Sequence, residues 1–173
     1  FLVGDLKAKD CLNCDERDRI DEMKRVIEDN REWIEWHAGL PNGQVMEKIK
    51  RCDVGLLPTR NDSFGFLVLE MQACGLPCIT TNIWSLPEVN DENCGWLIDV
   101  PRTADRELLT ERQEDLAVIS QQVEDQIFCI VMDIFEHPDK VVGMGLAALS
   151  RIGNERSPHA FGIRLRQIYE ESL

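Results

Sequence analysis

Five short apolar runs alternate with longer helical segments, and turn residues mark each changeover. This pattern predicts an α/β fold, a three-layer, Rossmann-like open parallel sheet with helices on both faces. A length of 173 residues with 43% hydrophobic content suffices for one sizeable core, so residues 1–173 are expected to form a single domain.

The strands are expected near Phe1, Ile34, Val54, Cys78 and Trp96. Helical segments are expected over residues 15–30, 44–50 and 64–74. The charged stretch 102–112 lacks periodicity and is expected to be a mobile surface loop. From Gln113 the spacing Leu116, Ile119, Val123, Ile127, Ile130 and Ile134 marks a helix with one buried face, closed at His137 and Pro138. A last helix over 157–173 carries Phe161, Leu165, Ile168 and Tyr169 on one stripe, which is expected to pack into the core.

The junction between the third strand and its helix carries the chemistry. An apolar run ending at Leu57 is followed by Pro58, Thr59, Arg60, Asn61, Asp62 and Ser63, which is turn and helix-capping composition. The helix that follows is apolar nearly all round, with Gly75 and Pro77 ending it, and Glu70 is its one carboxylate. A carboxylate in an apolar setting is costly unless it is hydrogen-bonded, so Glu70 needs a partner, either a core arginine or a ligand. Asp62 has a local alternative as a helix cap.

This segment resembles the donor-binding signature of the retaining glycosyltransferases of family four, which have the GT-B fold. Their pattern is an acid, seven residues and a second acid, with Phe-Gly after the first. Here it reads Asp62, Ser63, Phe64, Gly65 and then Glu70. Blocks beginning at Phe1, Trp36, Asp53, Cys74, Leu86 and Asn93 continue the resemblance in order over almost the whole chain, weakly between Pro101 and Leu116.

The resemblance implies the roles. Glu70 would take the ribose hydroxyls of a nucleotide-diphosphate sugar, for which two carboxylate oxygens suit a vicinal diol. Asp62 would act as the catalytic acid position facing the donor sugar, one methylene shorter than the family's Glu. The amides of Phe64, Gly65 and Phe66 would hold the diphosphate at a helix start, with Arg60 as a candidate cation. Backbone groups of Gly39, Leu40 and Pro41 would touch the nucleobase. Trp84 and Ser85 stand where the family often has two glycines, making that loop bulkier. Transfer would be metal-independent and retaining, with no cofactor beyond the nucleotide-sugar substrate.

The net charge of −13 argues against nucleic acid as a partner, and no apolar run is long enough for direct membrane insertion. A cytoplasmic location is expected. The same charge repels a diphosphate, so local amides and a few cations, with Lys7 and Lys9 as further candidates, must hold it. The chain begins inside an apparent strand, so the family's N-terminal Rossmann domain, which binds the acceptor, is expected as a missing partner. The isolated chain is then expected to bind a donor without transferring its sugar. In the family the final helix crosses to that domain, which offers an interface role for the 157–173 stripe.

Other signals are weaker. Cys11 and Cys14 form a CxxC without a second close pair at zinc-ligand spacing, and Cys52, Cys94 and Cys129 read as small buried residues. His37 follows a buried strand and reads as structural. The rival from another class is a degenerate, non-catalytic GT-B half acting as a nucleotide-binding or protein-interaction module. A flavodoxin-like signalling domain fits the alternation but leaves Glu70 unexplained.

Overall fold

The computed structural model describes residues 1–4, 6, 14–110 and 113–172. These residues form two compact units, Phe1–Lys48 and Ile49–Leu173. Lys7, Lys9, Asp5 and the CxxC cysteine Cys11 lie outside the described residues, as does the side chain of Cys14.

In the first unit, strand β1 (Leu2–Val3) pairs in parallel with β2 (Trp36–His37), with helix α1 (Cys14–Asp29) between them in sequence. Ile20 and Ile27, seven residues apart, are half-buried on α1, while most other described positions of that helix are exposed. The Trp36 indole donates to the Gly4 carbonyl at 2.9 Å and so fixes the end of β1. Helix α2 (Asn42–Ile49) starts at the Pro41 carbonyl, which accepts from the amides of Gln44 and Val45.

In the second unit, β3 (Gly55–Leu57), β4 (Cys78–Thr81) and β5 (Gly95–Ile98) form a parallel sheet in that order. Helices α3 (Phe66–Ala73) and α4 (Leu86–Val89) connect them, and α5 (Gln113–Glu136), α6 (Pro138–Glu155) and α7 (Pro158–Glu171) follow. This is the expected parallel α/β fold, with each expected strand found within two residues of its place. β4 is buried along its whole length, as a parallel strand covered on both faces should be. Its core neighbours include Val68, Met71, Ile83, Leu86, Val89, Ile98 and Ala148.

A buried amide network ties these layers together. Asn90 donates to the carbonyls of Cys78 at 2.9 Å and Trp96 at 3.1 Å and to the Thr80 hydroxyl, and Gln72 donates to the Val89 carbonyl. The amide nitrogens of Asn90 and Gln72 are thereby matched to backbone carbonyls that would otherwise lose a partner, while Gln72 Oε1 is buried without one. Burial also pushes the Cys78 thiol up to about 12, so it stays protonated. Asp91 is pushed upward by burial, but its hydrogen bond to Arg151, at 2.6 Å, and the Asn93 amide outweigh this and leave its carboxyl below the usual range. That pair ties α6 to the loop after α4.

Helix α5 ends at Glu136, so His137 and Pro138 close it as expected. Pro138 also opens α6, a helix without a sequence expectation, because a proline in the first turn lacks only an amide that would be unpaired there and its φ suits a helix. Three expectations need correction. The α7 stripe of Phe161, Leu165, Ile168 and Tyr169 is exposed, at 38% or more for each, and does not join the core. Cys129 is exposed and Cys52 half-buried, whereas Cys94 is buried as expected. Helix α3 is one-sided: Val68, Met71 and Gln72 are buried, but Phe66 is 70% exposed.

The α5 stripe is as read from its spacing, since Leu116, Ile119, Val123, Ile127, Ile130 and Ile134 are all buried or half-buried. The 102–110 segment is a loop closed by a bridge between Arg102 and Leu108 and by Thr103 and Glu107 backbone pairing. Arg102 donates to the Asn82 carbonyl at 2.7 Å, which pins this loop to the end of β4.

Candidate functional site

The site lies where β3, β4 and β5 end, the carboxyl edge at which parallel sheets bind ligands. The Thr81 hydroxyl donates to the Thr59 carbonyl at 2.7 Å, so the end of β4 holds the start of the loop leaving β3. Arg60 is exposed, and its Nη2 donates to the Ser120 hydroxyl on α5 at 3.0 Å.

Asp62 then shapes the turn. Its Oδ1 accepts from the Phe64 amide at 2.9 Å and the Gly65 amide at 2.5 Å, so two of the three amides expected to face a diphosphate hold this carboxylate. The second Asp62 oxygen makes no hydrogen bond to a described residue. Gly65 follows with φ 80°, in the left-handed region that glycine tolerates, and a Cβ there would stand 2.9 Å from Leu86 Cδ2. The turn delays α3 to Phe66, two residues later than its composition suggests.

The first bond inside α3 runs from the Leu69 amide to the Gly65 carbonyl. The amides of Phe66, Leu67 and Val68 therefore head the helix without partners inside it, and the helix dipole adds positive character there. Phe64 and Phe66, both exposed, pair at 5.0 Å between ring centroids beside these amides. A Phe-Gly-Phe spacing is the sequence signal of that pair, overlooked because both rings read as core.

Glu70 lies on the same helix, half-buried, and its carboxylate makes no hydrogen bond or ion pair with any described residue. No described arginine neutralises it, so the core-pair alternative finds no partner among the described residues. The helix ends as expected: Gly75, at φ 81°, donates to the Gln72 carbonyl and Leu76 to the Met71 carbonyl, closing the last turn.

Trp84 and Ser85, marked in the sequence as a bulkier loop, join Arg106 and Glu88, which sequence reasoning missed, in a second set of groups on this edge. Trp84 and Arg106 both take left-handed backbone angles, φ 49° and 64°, and the Trp84 amide donates to the Arg106 carbonyl at 2.8 Å. Such angles in non-glycine residues cost about 1–3 kcal/mol each and persist only where the surroundings impose them. Arg106 also donates from Nη1 to Glu88 Oε1 at 2.9 Å and from its amide to the Thr103 carbonyl at 3.0 Å. Ser85 joins the two sets by donating from its hydroxyl to the Ser63 carbonyl at 3.1 Å.

Of the remaining expected residues, Gly39, Leu40 and Pro41 belong to the first unit, where Pro41 starts α2. His37 in that unit contacts Glu35, its neighbour two residues along one strand face, at 2.9 Å. Among the described residues no three His, Cys, Asp or Glu side chains are grouped as metal ligands. No helix among them is long and apolar enough to cross a membrane.

The parallel α/β sheet, with α3 leaving its carboxyl edge, is the fold of one half of a GT-B protein. Residues 15–116, more than half of the chain, match the family of glycosyl transferases group 1, and the chain belongs to that family. It is 37% identical over 76 residues to the N-acetyl-alpha-D-glucosaminyl L-malate synthase of Bacillus anthracis, covering 42% of this chain and 20% of that protein. It is 40% identical over 65 residues to the D-inositol 3-phosphate glycosyltransferase of Saccharomonospora viridis, covering 36% of this chain and 15% of the relative. The chain thus spans a fifth or less of the length of these curated relatives. Among solved structures, the sucrose-phosphate synthase of Thermosynechococcus elongatus superimposes with a TM-score of 0.66 over 98% of this chain and 37% of that one, at 17% identity. That likeness is one of fold.

Proposed function

We propose that this chain is the donor-binding part of a group 1 glycosyltransferase, holding a nucleotide-diphosphate sugar whose glycosyl group passes to an acceptor with retention at the anomeric carbon. The observation that carries this reading is Glu70: a half-buried carboxylate without a partner among the described residues, on the helix whose first amides have no partner inside it. Its two oxygens accept the two ribose hydroxyls. The diphosphate lies against the head of α3, where Phe66 and the amides after it supply donors that the chain's −13 charge does not. Those donors stabilise the charge that develops on the leaving diphosphate, which is the main catalytic service of this unit.

Asp62 keeps its Oδ1 on the turn and turns its second oxygen to the donor sugar. The acceptor is bound by a second Rossmann-like domain, which these residues do not supply. Support for the reading comes from the family match and from the position of Glu70 on α3, the helix that leaves the carboxyl end of β3. Calorimetric titration of the chain with UDP-, GDP- and ADP-sugars tests it: one of them binds.

The engagement of Asp62 with its own turn favours a second reading, a non-catalytic GT-B half that acts through a protein partner. In that case none of the three donors binds.

A further inference from the structure

β5 is the outer strand of its sheet, and its far edge pairs with no strand among the described residues. The Cys78 amide donates to the Cys94 carbonyl and the Asn82 amide to the Ile98 carbonyl, so alternate residues of β5 bond to β4 and the backbone groups of Leu97 and Asp99 point the other way. Asp99 has a partner there: its amide donates to Gln126 Oε1 and its carbonyl accepts from Gln126 Nε2, both at 2.8 Å. A side-chain amide on α5 thus stands in for the peptide group of a further strand. The amide and carbonyl of Leu97 make no hydrogen bond to a described residue, and Leu97 is exposed.

A groove of about 500 Å³ lies beside this edge. Trp96 and Leu97 line it from β5, Cys129 and Ile130 from α5, and Met144 from α6, an apolar set that suits a hydrocarbon side chain. Its one charged member is Glu92, exposed and without an ion-pair partner among the described residues. An unpaired strand edge beside an apolar groove receives an extended peptide: the backbone ladder supplies affinity, and alternate side chains enter the groove. Glu92 and the net charge of −13 select a peptide that is basic. A second copy of the chain fits less well. Antiparallel pairing of two β5 strands about Leu97 would set Gly95 of each copy opposite Asp99 of the other, whose backbone Gln126 already holds.

We infer that the open edge of β5 is a docking site for an extended, basic peptide segment of a partner protein, which adds to the sheet at Leu97 and seats an apolar side chain among Trp96, Ile130 and Met144. The donor site plays no part in this docking, and the test contains no nucleotide.

The test is NMR titration of the ¹⁵N-labelled chain with the acetyl- and amide-capped hexapeptide Lys-Val-Thr-Val-Thr-Lys, with the same peptide carrying Glu in place of both Lys, and with the Lys peptide N-methylated at every residue. The Lys peptide binds with a Kd on the order of 1 mM or tighter and shifts the Leu97 amide resonance. The Glu peptide binds at least roughly fivefold more weakly, and the N-methylated one, which cannot donate to the Leu97 carbonyl, at least roughly tenfold. Cys129→Arg places a cation in the groove and Glu92→Gln removes its charge, both at exposed positions that leave the rest of the spectrum unchanged. The first weakens binding of the Lys peptide by roughly fivefold or more, the second by roughly twofold. The inference is overturned if the Lys peptide leaves the Leu97 amide unshifted, if the Glu or N-methylated peptide binds as well, or if both variants bind like the parent chain. Sedimentation of the free chain as a dimer that Cys129→Arg dissociates also overturns it, since a second copy then occupies the edge.

Discussion

Asp62 Oδ1 accepts the Gly65 amide at 2.5 Å, and this contact fixes where α3 begins. The same residue is proposed to face the donor sugar, so capping and binding are combined in one carboxylate and can be separated by substitution. Asp62→Asn keeps an acceptor oxygen for the Phe64 and Gly65 amides, whereas Asp62→Ala removes it. The alanine variant is expected to lose about 1 kcal/mol of stability and the asparagine variant about half of that or less. Both weaken donor binding. Urea unfolding read beside donor calorimetry checks this, and an asparagine variant with unaltered donor affinity leaves Asp62 as a cap alone.

Gly65→Ala is expected to destabilise the second unit by roughly 2–3 kcal/mol. The left-handed angle is unfavourable for alanine, and the new methyl would stand 2.9 Å from Leu86 Cδ2 and 3.1 Å from Val89 Cγ2. A shift of the urea midpoint to lower concentration, with an unchanged slope, is the expected outcome.

The turn that these two residues build shows how far the sequence could be read. The strands and the long α5 helix were legible because burial imposes a period: β4 is buried throughout, and the α5 stripe faces inward at each expected position. The start of α3 was misplaced because Phe64 reads as helical by composition, while the Asp62 bonds that exclude it from the helix depend on side-chain geometry. Pro138 marks the end of α5 correctly, and α6 beyond it was not legible because the same residue type ends one helix and opens the next. The α7 stripe was read as core because its spacing shows that one face is apolar and does not show what covers it. In the site, Asp62 and Glu70 stood out as isolated acids. The Trp84, Arg106 and Glu88 set did not, since it joins residues 22 and 18 positions apart through backbone angles that no local pattern announces.

The first unit has its own acid dependence. Hydrogen bonds from Lys48, at 2.5 Å, and His37, at 2.9 Å, hold the Glu35 carboxyl down from 4.5 to about 2. Between those values the unfolded chain binds a proton that the folded unit does not. Stability from this contact is therefore complete above about pH 4.5 and is lost as the pH falls towards 2. Glu35→Gln flattens that part of the acid-unfolding curve. Identical curves for parent and variant between those two values count against the contact.

Glu70 tests the central claim most directly, by isothermal calorimetry of the parent chain and of Glu70→Ala and Glu70→Gln with the nucleotide sugar that binds. The account predicts that both variants stay folded, because Glu70 has no partner to lose among the described residues, and that each binds the donor at least roughly tenfold more weakly, since alanine removes both charge-assisted hydrogen bonds to the ribose and glutamine removes the charge and one acceptor oxygen. Parent-like donor affinity in the folded Glu70→Ala chain would contradict it.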